Sequence, residues 1–176
     1  RYISVTGVQT GALPISRPPS PVRGAAPAQA GRAVPRSDVR VAARPRRPVI
    51  YLDSSVALAQ LLAEDRTPPA TLWHESLVAS RLLEYEVWNR LHARGLGRSH
   101  GEEARALIGR VALVELVPPV LGRALEPFPV TVRTLDALHL ASLEFLRGRG
   151  QTVELASYDD RLLEAARSLG IPLRAL

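Results

Sequence analysis

Short apolar segments with the character of β-strands alternate with helical segments from residue 49 to the end of the chain. The strand segments are VIYL (49–52), SLVAS (76–80), ALVELV (112–117) and TVELAS (152–157), with IPLRAL (171–176) as a possible last strand. The first four are followed by segments whose apolar residues recur with the period of an α-helix. Such alternation with short connections is typical of a parallel sheet flanked by helices. We therefore predict an α/β fold for residues 48–176.

The helical segments are less sharply bounded than the strands. Helices are predicted over 56–63, 82–94, 120–125, 136–147 and 160–170, with a short one near 70–75. A further helix is expected after Ser99, because Ser99 and Glu102 have the spacing of a capping box. The third strand is predicted to stop at Pro118, since proline cannot donate a backbone hydrogen bond.

The basic residues are concentrated in the first 47 positions. Residues 1–47 contain nine arginines and one acid, Asp38, whereas residues 48–176 contain 14 arginines and 16 acids. The formal charge of +6 therefore does not describe the part predicted to fold, which has a net charge of −2. Residues 1–47 are rich in Pro, Ala and Arg without a sustained apolar period, and we predict that this leader is disordered.

Part of the leader looks foreign to the protein. Residues 1–16, above all VTGVQTGALPIS at 5–16, resemble the translation of a sequencing-library adapter, and the chain contains no methionine. We expect residues 1–16, and the leader to about Arg47, to be read-through rather than evolved protein. The alternative is an Arg-rich arm that binds RNA phosphates.

Composition removes several classes of site. The chain contains no cysteine, which excludes a disulfide framework, a thiolate zinc site and a cysteine nucleophile. No apolar run is long enough to span a bilayer, and no signal-peptide layout is visible. We therefore expect a cytoplasmic protein without a membrane partner.

Four carboxylates occupy comparable places in the predicted fold. Asp53 follows strand 49–52 directly, Asp159 follows strand 152–157, Asp136 begins a helix, and Glu86 lies one turn inside the helix after the second strand. Ligands of parallel α/β sheets bind beyond the carboxyl ends of the strands. Taken singly, each acid could instead cap or stabilise a helix N-terminus. Together they favour a hard divalent cation with oxygen ligands, such as Mg²⁺ or Mn²⁺.

Four segments carry a family resemblance that covers residues 48–176. They are VIYLDSSVALAQLL (49–62), ASRLLEYEVWNRL (79–91), RTLDALHLASL (133–143) and LASYDDRLLEAARSLGIPL (155–173). In this order they resemble a PIN domain, specifically the VapC-type toxins of bacterial toxin–antitoxin pairs. The resemblance implies a three-layer α/β/α fold with a central parallel sheet of four to five strands. It also implies a metal-dependent endoribonuclease that acts as a toxin. The alternatives are a PIN nuclease of RNA processing and an inert acidic binding module.

The resemblance also implies which residues form the site. It gives catalytic and metal-binding roles to Asp53, Glu86, Asp136 and Asp159, with Ser55 and Ser157 beside them. Glu86 is favoured over Glu84, which lies about 200° around the helix from it. Asp159 is favoured over Asp160, which is expected to be the first residue of its helix and to act as a cap.

Cofactor and partners follow from the same resemblance. It implies Mg²⁺, for which Mn²⁺ may substitute, an RNA substrate, a cognate antitoxin and a homodimer. His139 is interpreted as a packed structural histidine, because hard cations prefer oxygen ligands. Trp73, Trp88 and Tyr85 are expected to pack in the core or on a dimer face. The arginines nearest to the acids in the sequence are Arg81, Arg90, Arg133 and Arg161.

Overall fold

The computed structural model describes residues 48–176, so the predicted leader and its adapter-like part lie outside the described residues. The strands are β1 (Val49–Leu52), β2 (Leu77–Ser80), β3 (Ala112–Val114) and β4 (Val153–Ala156). The helices are α1 (Ser54–Leu62), α2 (Leu82–Ala93), α3 (Gly101–Ile108), α4 (Pro118–Ala124), α5 (Thr134–Gly148) and α6 (Asp160–Ser168). A 3₁₀ helix, Ala70–His74, lies between α1 and β2. None of the helices in residues 48–176 has the length and apolar character needed to cross a bilayer.

The four strands form one parallel sheet in the order β3-β2-β1-β4. Strands β1 and β4 are therefore neighbours, and their carboxyl ends meet at the same edge of the sheet. The segment predicted as a last strand contributes a single parallel bridge, from Leu173 to Leu155. The prediction of a parallel sheet with four to five strands is confirmed.

Side chains of the sheet alternate between two cores, as the period of a strand requires. Ile50 and Leu52 pack on one face with residues of α1, α2 and α3. Tyr51 packs on the other face with residues of α5 and α6. The sheet is thus covered on both sides, which explains why β1 is apolar at every position.

Three local predictions differ from the structure. Strand β3 ends at Val114, three residues before its predicted end. Helix α4 begins at Pro118, two residues earlier than predicted, because proline is well suited to the first turn of a helix, where its missing N–H would have no partner. The prediction of a capping box at Ser99 is wrong. Helix α3 begins at Gly101, and the Ser99 hydroxyl donates to the Leu96 carbonyl at 3.3 Å instead of capping it.

Candidate active site

Three of the four predicted acids flank the edge where β1 and β4 end. Asp53 is the residue after β1, Asp159 lies three residues after β4, and Asp136 lies in the first turn of α5. The fourth, Glu86, is the fifth residue of α2, the helix that follows β2. Because β2 pairs with β1, this helix starts at the same edge of the sheet.

Asp53 caps a helix, which is one of the two roles that the sequence left as alternatives. It is the N-cap of α1, and its side chain accepts a hydrogen bond from the Ser55 N–H at 3.3 Å. The same carboxylate accepts hydrogen bonds from the hydroxyls of Ser55 and, at 2.8 Å, Ser157. Only 5% of its surface is exposed. Three neutral donors therefore hold the buried carboxylate in place at the end of β1.

The two serines connect Asp53 to the segment that carries Asp159. The Ser157 hydroxyl donates to Asp53 and accepts from the Asp159 N–H at 2.9 Å. The Ser55 hydroxyl accepts from the Tyr158 N–H at 2.9 Å. The end of β1 and the start of α6 are therefore held in a fixed relation by side-chain hydrogen bonds.

Asp159 is the N-cap of α6, and Asp160 is its first residue. The Asp159 carboxylate accepts from the N–H groups of Arg161 at 2.9 Å and Leu162 at 3.4 Å. The expectation that Asp160 caps this helix is wrong, since its exposed side chain lies in the first turn. Asp159 uses Oδ1 for the cap, and its other oxygen makes no hydrogen bond within residues 48–176.

The two glutamates of α2 face different directions, as their spacing predicts. Glu84 pairs with Arg81 at 3.2 Å, and 41% of its side chain is exposed. Glu86 Oε2 lies 3.0 Å from His139 Nε2, and 20% of its side chain is exposed. Glu86 therefore points toward α5 and the end of β1, whereas Glu84 points away from them.

His139 is packed as predicted, but it also contacts a predicted site residue. Its side chain is 2% exposed, and its two ring nitrogens lie 3.0 Å from Tyr51 Oη and Glu86 Oε2. Burial by itself lowers the pKa of His139. The hydrogen bond with Glu86 and the charges of Asp53, Glu86 and Asp136 outweigh it, so the pKa is raised.

Asp136 lies in the first turn of α5. Neither Asp136 nor Asp159 belongs to the group of ligand atoms, from Asp53, Glu86 and His139, that lie within 4.8 Å of one another. The Asp136 carboxylate accepts from the Arg133 N–H at 3.4 Å, at the start of α5. Burial raises the pKa of Asp136, and the charge of Asp159 adds to this, although the hydrogen bond from Arg133 opposes it. The charges of His139 and Arg133 also lower the pKa of Asp136, but they do not outweigh burial.

The donor set fits a divalent cation. Carboxylate oxygens of Asp53 and Glu86 and a ring nitrogen of His139 all lie within 4.8 Å of one another. Carboxylate oxygens are the ligands that hard divalent cations prefer. The geometry and charges therefore suit a divalent metal held mainly by carboxylates.

Arg66, which the sequence did not indicate, lies close to the acids. Arg66 donates to the Tyr158 carbonyl at 3.3 Å, and its guanidinium lies 5.7 Å from the centre of the Tyr158 ring. Arg66 and Arg161 line one cavity together with Asp159. Arg81, one of the arginines considered from the sequence, is instead paired with Glu84 and Glu115.

Two known ribonucleases are similar to this chain. No protein-family model matches the chain. Ribonuclease VapC47 of Mycobacterium tuberculosis is 31% identical over 129 residues, which cover 69% of this chain and 93% of that protein. Ribonuclease VapC46 of the same species is 32% identical over 132 residues, which cover 72% of this chain and 96% of that protein.

A solved structure gives an independent comparison of the fold. The crystal structure of Mycobacterium tuberculosis VapC20, a sarcin-ricin loop cleaving toxin, aligns with a TM-score of 0.52 at 19% identity. The alignment covers 66% of this chain and 94% of that chain. At this identity the similarity concerns the fold, and it confirms the predicted three-layer α/β/α architecture.

Proposed function

The chain belongs to the family of VapC ribonucleases, and on that premise we propose that it is the RNA-cleaving toxin of a toxin–antitoxin pair. Its substrate is RNA, and its protein partner is a cognate antitoxin. The observation that carries the proposal is the proximity of the Asp53 and Glu86 carboxylates, whose oxygens lie within 4.8 Å of each other. The homodimer and the cytoplasmic location stay predictions. Exposed apolar side chains of Tyr85, Leu121 and Leu125 support the dimer.

We propose that the four acids hold Mg²⁺, with Mn²⁺ able to substitute for it. Asp53 and Asp159 are the main ligands, and Asp136 assists them. This choice rests on the oxygen-rich donor set. When bound, such an ion neutralises charge on the phosphate and makes a water molecule a better nucleophile.

The protein's own residues contribute position and charge. Asp53 is held by two serine hydroxyls and Asp159 by the N-terminus of α6, so neither carboxylate must reorganise during the reaction. Glu86 orients the attacking water. The water oxygen bonds to phosphorus and loses a proton, while the bond to the 3′ oxygen breaks and that oxygen takes up a proton. The products carry a 5′-phosphate and a 3′-hydroxyl.

The two glutamates of α2 provide a matched test of this function. The Glu86→Gln variant should cleave RNA about 100-fold more slowly, because it removes the charge that faces the site. The Glu84→Gln variant should retain wild-type cleavage, since it removes only a half-exposed ion pair with Arg81. Both are measured on structured RNA in Mg²⁺, Mn²⁺ or EDTA.

The outcomes separate the alternatives. Equal loss in the two variants would contradict the proposed role of Glu86. Metal-dependent cleavage without growth arrest on expression would indicate a PIN nuclease of RNA processing rather than a toxin. Intact RNA in every condition, together with growth that expression does not impair, would favour an inert acidic module.

We also propose that Arg66 and Arg161 bind RNA phosphates beside the acids. The part of the chain that folds carries a net charge of −2, so the RNA backbone must meet local positive charge. Both arginines are exposed and line the cavity that contains Asp159. Neither side chain forms an ion pair with an acid within residues 48–176.

Replacing both arginines should lower the affinity for RNA and make that affinity less dependent on salt concentration. The Arg66→Ala, Arg161→Ala double variant is expected to bind RNA about 10-fold more weakly. The slope of log affinity against log salt should fall by roughly one to two. Binding is measured in EDTA, so that RNA stays intact. Arg149→Ala is the matched control, because Arg149 lies at the far end of α5. A slope that falls equally in the control would contradict the proposed contact.

A further inference from the structure

We infer that Tyr51 and His139 are positioning residues that fix the Glu86 carboxylate for the reaction. This inference rests on the proposed function, and it concerns residues to which neither the family resemblance nor the acidic cluster assigns a role. A chain of side-chain hydrogen bonds runs from the backbone of β2 through Tyr51 and His139 to Glu86. It joins β2, β1, α5 and α2, which lie on both faces of the sheet.

The first link is the Tyr51 hydroxyl. Its oxygen accepts from the Ser80 N–H at 3.1 Å, and it lies 3.0 Å from His139 Nδ1. Tyr51 is fully buried, and burial raises its pKa well above the ordinary range, so the hydroxyl keeps its proton. With an N–H already directed at its oxygen, the hydroxyl proton is available for Nδ1. The imidazole ring is perpendicular to the Tyr51 ring, at an interplanar angle of 88°.

The second link is the imidazole of His139. If Nδ1 accepts the Tyr51 proton, the ring proton is on Nε2 and is donated to Glu86 Oε2 at 3.0 Å. If the ring is cationic, Nε2 also carries a proton. Nε2 is therefore a donor to Glu86 in either state, and the positioning does not depend on the titration of His139.

The third link is the effect on Glu86. A glutamate side chain has several rotatable bonds, and a carboxylate that is free to rotate loses part of its effect in catalysis. The bond from His139 holds Oε2, which orients the plane of the carboxylate toward the end of β1. Supporting hydrogen bonds of this kind typically contribute 10- to 100-fold to activity or metal affinity. His139 itself is a poor ligand for a hard cation, because both of its nitrogens are occupied by protein groups.

Three variants of the full chain test the inference. The His139→Leu variant removes both hydrogen bonds, whereas His139→Gln keeps an N–H donor close to the position of Nε2. Tyr51→Phe removes only the hydroxyl. We expect kcat for RNA cleavage to fall about 30-fold in His139→Leu and about 10-fold in Tyr51→Phe, with KM unchanged. The His139→Gln variant should recover most of the loss.

A second readout does not require activity. The ¹⁵N resonances of the His139 ring in the wild-type protein should show a protonated Nε2, and the signal of that N–H should shift in Glu86→Gln. The affinity for Mn²⁺, measured by calorimetry, should fall about 10-fold in His139→Leu and less in His139→Gln.

The outcomes distinguish this inference from the proposed function. An unprotonated Nε2, or equal kcat values in the Leu and Gln variants at equal folded fraction, would overturn the positioning role. A change in KM alone would overturn it as well. If His139→Leu does not fold, Tyr51→Phe decides the matter through the same two readouts. Wild-type protein that leaves RNA intact while Nε2 is protonated and bonded to Glu86 would contradict the ribonuclease proposal, but not the hydrogen-bond chain.

Discussion

The Asp53→Asn variant is expected to lose RNA cleavage by about three orders of magnitude while it folds as well as the wild-type protein. Asparagine has almost the same shape, and its amide oxygen can still accept from the Ser55 N–H and the Ser157 hydroxyl. The negative charge is lost. A metal ligand is worth several kcal/mol in the transition state, and about 4 kcal/mol corresponds to a factor of roughly 1,000.

Two measurements on this variant separate chemistry from folding. Cleavage of structured RNA is followed in Mg²⁺, Mn²⁺ and EDTA, and melting temperature is recorded with and without the ion. The wild-type protein should gain on the order of 10 °C at an ion concentration of about 100 times Kd. The Asp53→Asn variant should gain much less, and without the ion it should melt no lower than the wild type. Cleavage within a few fold of wild type would contradict the role of Asp53.

The alternation of strands and helices, and the position of the acids within it, could be predicted because both depend on short-range patterns. Strand β1 is apolar at every position since both of its faces are covered, and the carboxylate that follows it must lie at the sheet edge. The spacing of Glu84 and Glu86 fixes their opposite directions on α2 in the same way.

Contacts between residues distant in sequence could not be predicted. His139 and Glu86 are 53 positions apart, and Arg66 and Tyr158 are 92 apart, so no local periodicity reports that they meet. The identification of His139 as a packed residue used the apolar character of α5. That character is compatible with many partners for the imidazole, and only the approach of the α2 and α5 side chains at the edge of the sheet selects Glu86.

The helix N-termini show a different limit of prediction from the sequence. The sequence offered capping and metal binding as competing roles for Asp53 and Asp159, but a carboxylate has two oxygens and can serve both. Asp159 uses Oδ1 to accept from two N–H groups of α6, which leaves Oδ2 for a cation. The assignment of the cap to Asp160 failed because the cap must precede the first helical residue, and Asp160 is that residue.

The proposed combination of helix cap and metal ligand makes Asp159 the second position where a large effect is expected. In Asp159→Asn the amide oxygen keeps the cap, since asparagine is as good an N-cap as aspartate. The charge offered to the ion is removed. We expect cleavage to fall by 100-fold or more, with a melting temperature close to that of the wild-type protein. The Asp159→Ala variant should show the same loss of cleavage and a further loss of about 1 kcal/mol in the free energy of unfolding.

Asp160→Asn is the matched control, because Asp160 is adjacent to Asp159 and its side chain is exposed. This variant removes the same charge one residue away. It should cleave RNA as the wild-type protein does. For the three variants, the cleavage rate is measured in Mg²⁺, and the free energy of unfolding is measured with denaturant. If Asp159→Asn is active and only Asp159→Ala is impaired, Asp159 is a helix cap and not a ligand. If Asp160→Asn is the inactive variant, the cation is held by the first residue of α6. The predicted pattern requires a charge at 159 for the chemistry and only a hydrogen-bond acceptor there for the fold.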